Sequence, residues 1–237
     1  MDNIKDKTVA QIVTENIKTS DVFKRNGIDF CCGGNVNIQS ACEEQGLDFE
    51  KLEKELDSVH TSPVPTHDFD SWNLDFLVDY IINTHHTYCK NNFDILIEYA
   101  NKVASAHGEN HPEVITIAKL TETLVNDLRP HLEKEEQILF PYIKHLIEIK
   151  SRNEKVSHPG LQSPVSVMEK EHDLAGDVMK EIASISTNFT VPEGGCNTFI
   201  AMYAKLEEFQ NDLFQHIHLE NNILFPKAIA LEEDLSL

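Results

Sequence analysis

His131-Leu-Glu-Lys-Glu135-Glu-Gln-Ile-Leu-Phe-Pro141 and His216-Ile-His-Leu-Glu220-Asn-Asn-Ile-Leu-Phe-Pro226 are one phrase written twice, 85 residues apart. Each reads H-x-x-x-E-x-x-I-L-F-P. On a helix, a His and a Glu four residues apart leave the same face one turn above each other, a two-point grip for a metal ion. Repeating the grip on two helices lets a fold aim both at one point between them. The Ile-Leu-Phe-Pro ends read as core packing.

The repeat extends beyond the phrases. His172 precedes His216 by 44 residues and His86 precedes His131 by 45, so each half supplies one His and then H-x-x-x-E on the next helix. His86, His131, Glu135, His172, His216 and Glu220 thus give four imidazoles and two carboxylates. That set suffices for two iron ions with the carboxylates bridging them. His85 competes with His86, but the apolar stripe Val78, Ile82, Cys89, Phe93, Leu96 runs through position 86 and turns position 85 aside by about 100°. His218, two residues from His216, is expected on the surface.

Apolar periodicity predicts four long helices: about 69–107, closed by Gly108 and Pro112; 113 to about 150, with bends at Pro130 and Pro141; 164 to about 186; and about 195–231. Short connections make residues 70–237 an antiparallel four-helix bundle. Residues 60–69, with two prolines and no periodicity, read as a linker. Before it, residues 1–59 carry signals for short helices: Val9, Ile12, Val13 and Ile17, a cap at Ser20-Asp21, a stop at Asn26-Gly27, a helix over 38–45 stopped by Gly46, and another over 48–59. The fold class is all-α, a small helical domain followed by the bundle.

Within the small domain, Cys31 and Cys32 precede Gly33 and Gly34. The glycines free the backbone for a tight loop and leave the thiols little screened, so the pair is expected in an exposed loop able to bind metal, exchange disulfides or be oxidised. The plainer alternative is two small residues filling a turn. Cys42, Cys89 and Cys196 stand singly and are expected to be ordinary buried residues.

With 237 residues, 41% of them hydrophobic, the chain can bury a sizeable core. Its formal charge of −20, from 40 acidic and 20 basic residues, repels a phosphate backbone but not cations, which argues against nucleic acid as a partner. No apolar stretch approaches the roughly 20 residues a bilayer demands, and the start lacks the apolar core of a secretory signal. Five cysteines without a regular framework fit a reducing compartment, so the expected location is the cytoplasm.

The segment Asp29-Phe-Cys-Cys-Gly-Gly34, the segment Val167-Met-Glu-Lys-Glu-His-Asp-Leu-Ala-Gly176 and both long phrases resemble those of the di-iron "repair of iron centres" proteins, the ScdA/YtfE-type iron–sulfur cluster repair family. The resemblance covers almost the whole chain. It implies a double-cysteine N-terminal domain, then a hemerythrin-like bundle with a non-haem di-iron centre of four histidines and two bridging glutamates, with an oxo bridge as an option. Carried over, the ligands fall on the six residues that the repeat selects. The resemblance further implies restoration of iron–sulfur clusters damaged by nitric oxide or oxidants, through iron delivery or reduction of bound nitric oxide. Iron–sulfur proteins are then the clients and nitric oxide or oxygen the small ligand; a homodimer is left open. Asp127 and Glu171 match acidic positions near the family's metal, although glutamate is commoner at the first. With Glu136 they are candidates to ease an ion's path, while Cys31 and Cys32 are placed either to receive iron or to renew the reduced state. Two rivals are a hemerythrin-like oxygen carrier or sensor, which would favour a fifth histidine and need no thiol pair, and iron storage or transfer without turnover.

Overall fold

The structure, a computed structural model, describes residues 4–60, 67–157 and 160–236. Among them every regular element is helical, and strand-type pairing is confined to one bridge between Thr8 and Asn37. Short helices come first: α1 (Val9–Glu15), α2 (Thr19–Arg25), α3 (Ile38–Gln45) and α4 (Phe49–His60). Long ones follow: α5 (Leu74–Ile81) with α6 (Thr87–His107), α7 (Glu113–Lys134) with α8 (Phe140–Ser151), α9 (Gln162–Ile185), and α10 (Asn197–Leu219) with α11 (Phe225–Ser236).

Three of the long helices are interrupted by a single π turn, at Ile82–His86, Glu135–Leu139 and Glu220–Leu224. In the last two, the amide of Phe140 donates to the Glu135 carbonyl and that of Phe225 to the Glu220 carbonyl, five residues back. Pro141 and Pro226 supply a reason. A proline lacks the amide that the ladder needs, and its ring presses on the carbonyl four residues earlier, so a widened turn just before it removes the clash. Helix α7, by contrast, continues through Pro130 without a π turn.

One compact unit comprises Asp79–His145 and Gly160–Leu213. Within it α6, α7, α9 and the greater part of α10 run antiparallel to their neighbours, as the paired positions show. Lys90 meets Glu136 while Asp94 meets Arg129; His131 meets His172 while Lys134 meets Glu171. His85 meets Asp212 while Phe93 meets Phe209. Phe93, Phe199 and Phe209 are fully buried, and each such side chain contributes about 1.5–3 kcal/mol.

The other unit comprises Met1–Val78, Leu146–Pro159 and Phe214–Leu237. Thr8 and Gln11 form a capping box at the start of α1. Helix α2 begins at Thr19, so Ser20 and Asp21 lie in its first turn rather than at its cap. Asn37 caps α3 and Gly46, at φ 65°, ends it as expected. Helix α2 packs on α4, and α1 lies against the π turn Glu220–Leu224. Of the predicted linker, residues 61–66 lie outside the described residues; the chain after them is anchored by Trp72, whose ring centroid lies 4.7 Å from that of Phe69 and 4.8 Å from that of Phe76.

Candidate metal centre

The interrupted helices carry the grips. Glu135 and Glu220 each open a π turn, and His86 closes one. Such turns rotate a side chain away from the regular helical path, a recurrent device at functional sites. Burial is close to complete: His86, Glu135 and Glu220 are 0% exposed, His172 and His216 1%, His131 2%. Two carboxylates in such surroundings demand positive partners, because an ionised carboxylate loses far more on leaving water than packing returns.

Glu135 is the hub among the α6, α7 and α9 residues. Its Oε2 lies 3.4 Å from His86 Nε2 and 3.3 Å from His131 Nε2, and its Oε1 lies 3.8 Å from His172 Nε2. On α10, His216 Nε2 lies 3.0 Å from Glu220 Oε1, so the second phrase has the same grip geometry as the first. The His131 and His172 Nε2 atoms stand only 2.9 Å apart.

The opposite ring nitrogens explain which way the lone pairs point. His86 Nδ1 lies 2.8 Å from Glu136 Oε1, and His131 Nδ1 lies 2.8 Å from Glu171 Oε2. A carboxylate can only accept there, so both Nδ1 atoms carry the proton, which in the neutral ring leaves the lone pair on Nε2, the nitrogen on the Glu135 side. This is the tautomer a metal-ligating histidine needs. The donor set therefore fits a metal ion: inward lone pairs, and a buried carboxylate within reach of three imidazoles. Partial burial raises the Glu136 and Glu171 carboxyls, but hydrogen bonds outweigh it, from Lys90 and His86 to the former and from Lys134 and His131 to the latter. Both stay below the ordinary glutamate value.

Asp127 is exposed on α7. His85 is buried, with Nδ1 3.0 Å from Asp212 Oδ1, a partner that sequence spacing gave no means of finding.

His218 is not a surface residue. It is 0% exposed; Nδ1 donates to the Phe30 carbonyl at 3.3 Å and Nε2 lies 3.4 Å from Thr14 Oγ1. Burial lowers its pKa to about 4, which keeps the ring neutral. One turn on, Asn222 Nδ2 donates to the Cys31 carbonyl at 3.0 Å. A histidine and an asparagine four apart on one helix face were the available signal for this clasp. It also corrects the expected exposure of the thiols: Cys31 is buried and Cys32 half-buried. Gly34 permits this packing, since a Cβ there would stand 2.4 Å from the Phe30 carbonyl oxygen.

Cys42 and Cys89 are buried as expected, but Cys196 is exposed, 3.1 Å from His107 Nε2. Hydrogen bonds from the Phe199 amide and from His107 pull its pKa down to about 7.

A family model described as the Hemerythrin HHE cation binding domain matches residues 77–228. The chain belongs to the hemerythrin family. A second model, ScdA_N, described as a domain of unknown function (DUF542), matches residues 5–60. The chain is 35% identical, over 215 residues, to the "Iron-sulfur cluster repair protein YtfE" of Yersinia pseudotuberculosis serotype IB (strain PB1/+), covering 91% of this chain and 93% of that protein. A protein of the same name from Yersinia pestis (strain Pestoides F) is 35% identical over the same shares, and one from Yersinia pseudotuberculosis serotype O:1b (strain IP 31758) is 34% identical. The resemblance drawn from the motifs thus holds across nearly the whole chain. A hemerythrin cation-binding domain with a buried cluster of histidine and glutamate is a metal-binding, all-helical bundle. Among the described residues no helix is long and apolar enough to cross a membrane.

Proposed function

We propose that this hemerythrin-family chain is a cytoplasmic di-iron protein that repairs iron–sulfur clusters damaged by nitric oxide or oxidative stress. Its relatives carry iron–sulfur cluster repair in their names. In this reading residues 1–59 form the double-cysteine domain, 60–69 the linker and 70–237 the bundle. Four histidines, His86, His131, His172 and His216, hold two iron ions, and Glu135 and Glu220 bridge them. One observation carries the assignment. In one unit the buried Glu135 carboxylate lies within 3.8 Å of the Nε2 atoms of His86, His131 and His172, and in the other His216 Nε2 lies 3.0 Å from Glu220 Oε1.

Bound there, a ferrous pair supplies open coordination positions for nitric oxide or oxygen and the electrons to reduce it. The chain's own residues do the rest. Glu136 and Glu171 hold the Nδ1 protons of His86 and His131, which fixes both rings. Phe140, stacked 5.5 Å from His86, and the buried packing around it exclude water. Asp127, Glu136 and Glu171 line the route by which an ion leaves toward a client. Cys31 and Cys32 serve as redox or iron-transfer thiols.

The test uses anaerobically iron-loaded protein. Mössbauer spectra count the iron ions and describe their bridging. A nitric-oxide-damaged iron–sulfur enzyme is then added, and its recovered activity is followed alongside nitrous oxide production. Recovery with nitrous oxide supports reductive turnover, and recovery without it supports iron delivery. No recovery in either form overturns the repair reading.

A further inference from the structure

The two thiols are unlike each other in their surroundings. Cys31 is buried, with Sγ 3.3 Å from Asp29 Oδ1 and 3.8 Å from Cys32 Sγ, whereas Cys32 is half-buried and reachable. The loop is held from both sides. Asp29 Oδ1 accepts the amides of Cys31 and Cys32 at 2.9 and 3.1 Å, while His218 and Asn222 hold the carbonyls of Phe30 and Cys31. Capture of an iron ion by the pair needs two thiolates turned to one side. Cys31 opposes that, because its sulfur lies beside a carboxylate; contact with Cys32 and burial push its pKa up further.

We propose that the pair is an ordered thiol–disulfide exchange site for small aliphatic disulfides of the glutathione type, in which Cys32 attacks and Cys31 resolves. The proposal deepens the reading of these cysteines as redox thiols and rests on that reading, not on the metal assignment. In the first step the Cys32 thiolate attacks one sulfur of the incoming disulfide. That S–S bond breaks, one thiolate leaves and a mixed disulfide forms on Cys32. In the second step Cys31 gives its proton to Asp29, at 3.3 Å, and its sulfur attacks Cys32 Sγ. The second thiolate leaves, and the proton passes from Asp29 through water to the released thiols. In sum two protein thiols lose two electrons and two protons, and one disulfide becomes two thiols.

Adjacent Cα atoms are about 3.8 Å apart, short of the roughly 4.4 Å at which relaxed disulfides begin. The ring between neighbours is therefore strained and easily reduced again, which suits turnover rather than stapling.

The test uses the full-length, iron-loaded protein carrying Cys196→Ser, so that the exposed thiol far along the chain does not react. Reduced protein freed of reductant is mixed with glutathione disulfide and followed by intact mass spectrometry. The parent is expected to become two hydrogens lighter without keeping an adduct. Adding Cys31→Ser should trap one glutathione on Cys32, and adding Cys32→Ser should slow adduct formation roughly tenfold or more, because the remaining thiol is buried. Equal adduct rates in the two variants, or an adduct that persists on the parent, would overturn the order. Circular dichroism checks folding of each variant. Iron content and nitrous oxide yield on the same samples report on the metal reading separately.

Discussion

His131 Nδ1 lies 2.8 Å from Glu171 Oε2, and the same carboxylate pairs with Lys134. His86 repeats this arrangement with Glu136 and Lys90. Each ring is thus aimed by a carboxylate whose own charge is balanced by a lysine. Glu171→Gln and Glu136→Gln keep the shape but weaken the hold on the imidazole proton. Each is expected to lower metal affinity about 10–100-fold. Chelator competition checks this; unchanged affinity in both variants would remove these carboxylates from the metal's support.

In the proposed site Glu135 and Glu220 each serve both ions, so Glu135→Ala and Glu220→Ala are expected to bring bound iron well below two per chain while the helices stay formed. Metal analysis beside circular dichroism is the measurement. His85→Ala, which strips Asp212 of its partner rather than the iron of a ligand, should leave iron near normal. Its cost is about 1–3 kcal/mol of stability.

His218→Ala deprives the buried Phe30 carbonyl of its donor and opens space beside the Phe30 ring, whose centroid lies 6.0 Å from the imidazole. A loss of about 1–3 kcal/mol in urea unfolding is expected. Labelling of Cys31 should accelerate at the same time, since the loop is no longer held at that point. A stable variant with slow labelling would show that Asn222 alone suffices.

Cys196, with a pKa of about 7, should be the fastest of the thiols in alkylation. Below that value the sulfur is protonated and slow; above it the thiolate dominates, so the rate should climb between about pH 6 and pH 8 and then level off. His107→Ala removes one of the contacts that lower the pKa, and is expected to move the climb to higher pH. Rates measured across that range, with iodoacetamide and mass mapping, decide it.

Much of this was legible in the letters. The burial of His86, His131, Glu135, His172, His216 and Glu220 agrees with a repeated phrase and two matched histidines, because helical spacing of four determines what shares a face. Gly27 and Gly46, both at positive φ, marked helix ends for the same local reason. What sequence spacing missed depends on partners far away in the chain. His218 looked superficial because only its angle to His216 was considered, whereas the N-terminal segment around Phe30 covers that second face. Cys31 looked exposed because its glycines were read as openness, and Gly34 instead lets the loop pack closely. Cys196 looked buried on the habit of its residue type, and only its place beside His107 reverses that.

The π turns have a further consequence. Each holds one residue more than a regular helix needs to cover the same rise, so the chain beyond it runs about 100° out of step with the chain before it. Deleting a residue from Glu135–Leu139 or Glu220–Leu224 would remove that surplus and press the ring of Pro141 or Pro226 back against the carbonyl four residues earlier. It would also swing Leu139 and Phe140, or Ile223, Leu224 and Phe225, off the buried face they fill; Ile138, expected in the core with them, is 65% exposed and has no place on that face. The surplus residue works as a differential between two stretches of one shaft, letting the grip and the packing that follows it point in directions no uniform helix could serve together.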